Sequence, residues 1–243
     1  MFTSKKLLSV SSDSKTVKGE KLGFLTGILY LMPDSNICPN ALNAGCITTE
    51  GTSCLVMSGR AAIFTSINEA RARKTRELFE HPVQFMARLQ KDIQALIRKA
   101  EREGLTPVVR LNGTSDIDWT AMKIDGLNLF EIFPDCQFYD YSKLPRASKH
   151  ANYHITASYS SKPAYAKTVA KAIRLGLNLA VVFHGPKPST FLGLPVIDGD
   201  ASDLRFLDEG EQVVVALKAK GEAAKHDSSG FVVRTDNLIA VAA

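Results

Sequence analysis

Three of the chain's four cysteines, Cys38, Cys46 and Cys54, lie within seventeen residues, in the stretch NICPNALNAGCITTEGTSCLVMSGR. Their spacing is C-x7-C-x7-C. Structural zinc sites pair cysteines as C-x2–4-C, a knuckle that two seven-residue gaps do not make. Iron–sulfur clusters are held by thiolates whose spacing varies more widely. A [4Fe–4S] cluster on these three residues is therefore the leading expectation, with zinc and buried inert thiols as the alternatives. A disulfide would leave one thiol over. Cys136, in FPDCQFYDYS, is a doubtful fourth ligand, because a small apolar residue opening a strand would suit that place equally well.

A second set of chemical groups stands at the ends of apolar runs. VVRLNGTSD ends in Arg110, Asn112 and Asp116, and FYDYSK in Asp140, Tyr141 and Lys143. AVVFHG ends in His184, and PVIDGDASDLR in Asp198, Asp203 and Arg205. In parallel α/β folds the carboxyl ends of the strands gather on one face, where active sites are built. Asn112, Asp140, Lys143 and His184 are accordingly candidates for orienting a substrate and moving protons. Arg110, Asp116, Tyr141, Asp198, Asp203 and Arg205 are candidates for binding it. Turn formation, helix capping and an Asp203–Arg205 pair are the plainer roles these residues could fill.

The elements that must carry these groups alternate. KLGFLTGILYLMP reads as a strand. From Ser66, a plausible N-cap, a long periodic stretch follows, which His81-Pro82 should split into two helices. The second helix places Phe85, Leu89, Ile93 and Ile97 on one stripe and stops at Gly104. TPVVR, QFYDYS, YHITAS and the nearly continuous apolar run NLAVVFH read as strands, with NLFEI and PAYAKTVAKAIRL as helices between them. Two strands in LPVIDGDASDLRFLDEGEQVVVALKAKG and a last one in GFVVRT complete the pattern. This predicts a single α/β domain over residues 1–243, a complete or partial (β/α) barrel of the TIM type with a cysteine-rich loop after the first strand. Residues 1–20 read as a loosely ordered N-terminal segment.

Composition supports an ordinary soluble domain. The chain has 243 residues, 45% of them hydrophobic, and a formal net charge of +5. No apolar run spans a bilayer, and the N-terminal lysines are not followed by a signal-peptide core, so the expectation is a protein of the cytoplasm without membrane contact. Thiols stay reduced there, which suits metal ligation. In EARARKTRELF, helical spacing spreads Arg71, Arg73, Lys74 and Arg76 over more than one face, which reads as a solvated helix rather than a nucleic-acid patch.

The order GEKLGFLTGILYLMP, CPNA…GC…C-x4-GR, RLNGTSD, FYDYSK and PVIDGDASDLRFLD resembles the phage "gene product 88" family. The likeness runs from about Ser4 to Lys220. It implies a phage-related origin, action in the host cytoplasm and a compact α/β domain with a cysteine-rich loop, but no settled activity. The gap between Cys46 and Cys54 is longer here than the family pattern, and that pattern does not ask for Cys136. A looser likeness is to radical S-adenosylmethionine enzymes, which carry three cysteines after the first barrel strand. Their C-x3-C-x2-C spacing and Gly-Gly-Glu stretch are absent. Two functions follow as expectations. The first is an iron–sulfur enzyme of redox or radical type acting on a small molecule, with S-adenosylmethionine as a conceivable second cofactor. The second is a non-catalytic metal-stabilised module that binds nucleic acid or a host protein.

Overall fold

The structure, a computed structural model, describes residues 6–11, 14–48, 54, 60–208 and 210–235. Its strands are β1 (Leu8–Val10), β2 (Phe24–Leu29), β3 (Thr106–Arg110), β4 (Gln137–Ser142), β5 (Tyr153–Ser158), β6 (Leu179–His184), β7 (Thr190–Phe191), β8 (Leu194–Asp198), β9 (Val214–Lys218) and β10 (Val232–Arg234). Its helices are α1 (Ser14–Glu20), α2 (Ala41–Ala44), α3 (Arg60–Ile63), α4 (Thr65–Glu80), α5 (Pro82–Glu103), α6 (Leu129–Ile132), α7 (Ala166–Arg174) and α8 (Glu222–Lys225). None is long and apolar enough to cross a membrane, among the described residues.

The alternation expected from the sequence is present, and the strands form one ten-stranded sheet in the order β1-β2-β3-β4-β5-β6-β9-β8-β7, with β10 also on β6. β2 to β6, β9, β8 and β10 pair in parallel, while β1 and β7 are antiparallel to their neighbours. No pairing among the described residues joins one end of this order to the other, so the sheet is open and not a closed barrel. β3 and β4 share only two register positions, and β5 pairs only with Leu179 and Ala180 of β6. Beyond Ala180, the same edge of β6 is taken by β10, with Val232 opposite Val182 and Arg234 opposite His184. β3 from β4 and β5 from β6 thus splay apart, and β10 takes the edge of β6 that β5 leaves.

Helices α4 and α5 break at His81-Pro82 as the sequence predicts, with Pro82 in the first turn of α5 and Gly104 ending it in a left-handed conformation at φ 67°. α4 begins one residue before Ser66, at Thr65, and no side chain caps it. Of the stripe Phe85, Leu89, Ile93 and Ile97, the first three are fully buried and Ile97 partly so, with Met86, Leu96 and Ala100 beside them, in one cluster with Leu25, Leu29, Val109, Leu111, Phe138 and Ile155. These strand residues face the helices; their chain neighbours Thr26, Val108, Arg110, Tyr139 and Tyr141 must therefore face the other way. That opposite face is covered at its base by the segment 203–207, where Leu204 packs with Val108 and Tyr139, and the Phe206 ring lies edge-on to Phe24.

Within the segment 1–20, read as loosely ordered, Leu8–Val10 form β1 and Ser14–Glu20 form α1. Asp92 of α5 accepts the amide N–H groups of Leu7 at 2.6 Å and Leu8 at 3.2 Å, which anchors β1 at the sheet's edge. The helix α4 is not simply solvated either. Lys74 donates to the Leu7 carbonyl at 2.7 Å, and the Arg71 guanidinium lies 5.2 Å from the centre of the Tyr30 ring. Of the four cations Arg71, Arg73, Lys74 and Arg76, only Arg73 and Arg76 are exposed.

Candidate functional site

The splayed carboxyl ends of β3, β4, β5, β6 and β9 enclose a partly open cavity of about 180 Å³. Cys38, Cys46 and Cys54 all line it, together with Arg110, Asn112, Tyr141, Lys143 and Asp203. Local structure explains how. Cys38 and Cys46 flank α2, which Gly45 ends in a left-handed conformation, and each thiol donates to a backbone carbonyl, Cys38 to Thr114 and Cys46 to Ala41. Cys54 lies in the stretch 49–59, of which it alone is described, so the cysteine-rich loop as a whole falls outside the described residues.

Burial pushes the Cys38 thiol up to about 12 and raises that of Cys46, partly offset by the ammonium of Lys143. Burial alone would lower the Lys143 pKa, but Cys46, Asp116, Cys38 and Cys54 together raise it. Lys143 is held at the cavity by its backbone: Asp116 accepts its N–H at 2.6 Å, and its carbonyl accepts from Asn40 and from the Tyr165 hydroxyl. Its ammonium stands 5.9 Å from the centre of the Phe231 ring, delivered by the loop before β10. Phe231, Lys218 and Lys220 line the cavity as well and were missed in the sequence, although VVALKAK carries the same signal of polar groups after an apolar strand.

Asp203 does not pair with Arg205. It receives Arg110 at 2.9 Å, Tyr139 at 3.0 Å and Tyr141 at 3.3 Å, a buried network in which Arg110 also lies over the Tyr141 ring. Burial raises both tyrosines and the carboxylate of Asp203 raises them further, so they stay donors. Arg205 pairs instead with Asp208 at 3.4 Å.

The remaining sequence candidates divide by strand face. Asp140 points under the helices, away from the cavity, and takes the Asn112 N–H at 2.7 Å and the Tyr153 hydroxyl at 3.1 Å. Burial pushes its carboxyl up to about 7, against the Asn112 and Tyr153 hydrogen bonds and the nearby Arg110. Asn112 borders the cavity but is committed to the chain: its carbonyl oxygen receives Ser115, Ile117 and Trp119, and its amide donates to Ile117 and Asp140. Asp116 takes Ser142 as well as Lys143, fixing the end of β4. His184, Asp140, Asp116, Asp198 and Arg205 are not among the cavity's lining residues. His184 closes β6 beside Arg234, and Asp198 is exposed on the outer strand β8, paired with Lys187. Cys136 is buried in the main core with its thiol on the Pro107 carbonyl, remote in role from the other three.

Among the described residues, no three His, Cys, Asp or Glu side chains are grouped so that they could hold a metal ion. Three thiols, Cys38, Cys46 and Cys54, and four cations, Arg110, Lys143, Lys218 and Lys220, line the cavity.

No curated protein and no solved structure matches this chain. The family model described as Gene product 88 matches residues 4–235. The chain belongs to the phage Gene product 88 family.

Proposed function

We propose that this protein is an iron–sulfur protein in which Cys38, Cys46 and Cys54 carry a [4Fe–4S] cluster in the cavity, and that it works there as a redox or radical-type enzyme on a small molecule. The observation that carries the proposal is that these three cysteines line one cavity while Cys136 sits apart in the core. In a cluster each thiolate binds a different iron, so thiols spread round a cavity suit it better than they suit one zinc ion, whose four ligands crowd a single point. A cluster held by three residues supplies an electron and one iron with no protein ligand. The remaining roles belong to the chain. Lys143 offsets the negative charge of the thiolates and keeps its own proton. The raised thiols of Cys38 and Cys46 mean that loading releases protons, which favours it at higher pH. Tyr141 and Arg110 wall the cavity, while Asn112, Asp140 and Asp116 hold the loop and strand ends that shape it.

The run of neighbouring parallel strands β2 to β6, with helices on one face and a polar opposite face, is how a partial (β/α) barrel is built, and the open sheet fits that architecture. S-adenosylmethionine is not part of the proposal, since no Gly-Gly-Glu stretch follows the cysteines. The binding-module alternative is weakened by α4, whose Arg71 and Lys74 are buried rather than offered to a partner.

Anaerobic preparation with iron and sulfide tests the proposal. The protein should be brown, with broad absorbance near ~400 nm, and Cys38→Ala, Cys46→Ala and Cys54→Ala should each remove the colour. A colourless protein carrying stoichiometric zinc would overturn it.

A further inference from the structure

The cavity's charges do not balance. Four cations line it, Arg110, Lys143, Lys218 and Lys220, against one carboxylate, Asp203. Arg110 is matched by Asp203 at 2.9 Å, and Lys220 by Asp200 at 3.0 Å, just outside the cavity. Lys143 and Lys218 make no ion pair with a carboxylate among the described residues. Arg110 is only 3% exposed and its Nε is shut off from solvent, so it adds positive charge to the cavity wall rather than a free donor. Ser158 adds a hydroxyl to the same wall, where its side chain makes no hydrogen bond among the described residues. The lining also has apolar members, among them Phe231, Val182, Leu217 and Ala180.

From this arrangement we infer that the cavity binds a small organic oxyanion, a phosphate or carboxylate on an apolar or aromatic body. The oxyanion sits between Lys143, Lys218 and Arg110, and the body lies against Phe231 and Val182. Lysines suit such a ligand as mobile point charges, and their attraction is strengthened in a cavity that excludes much of the water. The volume of about 180 Å³ limits the body to roughly one ring or a short chain. The inference rests on the reading that this cavity is the working site, but not on which metal, if any, occupies it.

Calorimetric titration of the full chain at low ionic strength tests it, using phenyl phosphate, benzoate and inorganic phosphate as probes, with sodium chloride at matched ionic strength as control. Saturable binding of phenyl phosphate or benzoate is expected, and the stronger of the two identifies the oxyanion. Lys143→Gln and Lys218→Gln should each weaken it by about tenfold or more, whereas Lys171→Gln, on the outer side of α7, should leave it unchanged. Lys218 is exposed, so its variant keeps the test decisive if Lys143→Gln fails to fold. Absence of saturable binding, equal binding by the Lys218 variant, or a response no larger than that to chloride would overturn the inference. Iron and sulfide analysis of the same preparations separates this outcome from the cluster proposal: anion binding without iron sinks only the cluster, and a brown protein blind to both anions sinks only this inference.

Discussion

Replacing Asp203 by alanine should do more damage than removing any one contact suggests. The carboxylate receives three donors, Arg110, Tyr139 and Tyr141, and Arg110 and Asp203 are 3% and 9% exposed. Taken alone, a buried ion pair adds little stability, because desolvation consumes most of the attraction. Removing one partner is different: the Arg110 cation would remain buried with no counter-charge. That situation costs about 3–5 kcal/mol. Each tyrosine hydroxyl left without an acceptor adds about 1 kcal/mol more, unless water enters from the cavity beside it. Asp203→Asn keeps an acceptor and removes the charge, so it should fall between alanine and wild type. Arg110→Met combined with Asp203→Leu removes both charges and should be less damaging than Asp203→Ala alone. Urea unfolding followed by circular dichroism reads all three, with the midpoint shift converted through the slope of the transition. A loss below about 1 kcal/mol in Asp203→Ala, or a double variant worse than that single one, would refute the reasoning that the arginine charge dominates.

The raised Asp140 carboxyl makes its contribution to stability pH-dependent in an unusual sense. The folded protein keeps this proton up to about pH 7, whereas the unfolded chain loses it near pH ~4, so stability from this group falls as pH rises between those limits, by up to about 4 kcal/mol. Asp140→Asn should remove that part of the slope in urea unfolding, and an unchanged slope would contradict the assignment. Gly113→Ala should cost about 1–3 kcal/mol in the same assay, because an added Cβ would stand 2.7 Å from Ile28 Cγ2, from the Leu29 carbonyl oxygen and from Tyr30 Cδ1. If the protein carries the proposed cluster, Cys136→Ala should keep its spectrum, and in any case should lose about 1 kcal/mol of stability, as expected for a small void in the core. In protein without added metal, iodoacetamide at pH 8 should label Cys38 about a thousandfold more slowly than an ordinary thiol, since burial pushes its thiol up to about 12; rapid labelling would show the cavity to be wetter or more cationic.

Much of the architecture was legible because its signals are local. The His81-Pro82 break, the Gly104 stop and the apolar runs of β3 to β6 each follow from backbone chemistry or periodicity within a few residues. The grouping of Cys38, Cys46 and Cys54 with Lys143 was legible too, since parallel strands present their carboxyl ends to one side. Strand face was harder. Asp140 and Tyr141 are adjacent, and alternation puts one against Asn112 and Tyr153 and the other at the cavity, yet the polar end of FYDYSK does not say which. Pairings across long stretches of chain left no trace either: Asp203 meets Arg110 from 93 residues away, where Arg205 was the nearer guess. β1 left little signal because three residues are too few to carry a period.

The shared edge of β6 sets an order of assembly. Its first half is paired by β5, already made when β6 emerges during synthesis, but its second half waits for β10, some fifty residues later. Until the ribosome has delivered residues as far as Arg234, the cavity lacks Phe231, and the edge of Val182 to His184 has nothing to pair with. The cavity's full lining is therefore present only after synthesis has passed that point, and a chain cut short before β10 would keep all three cysteines on an unfinished wall.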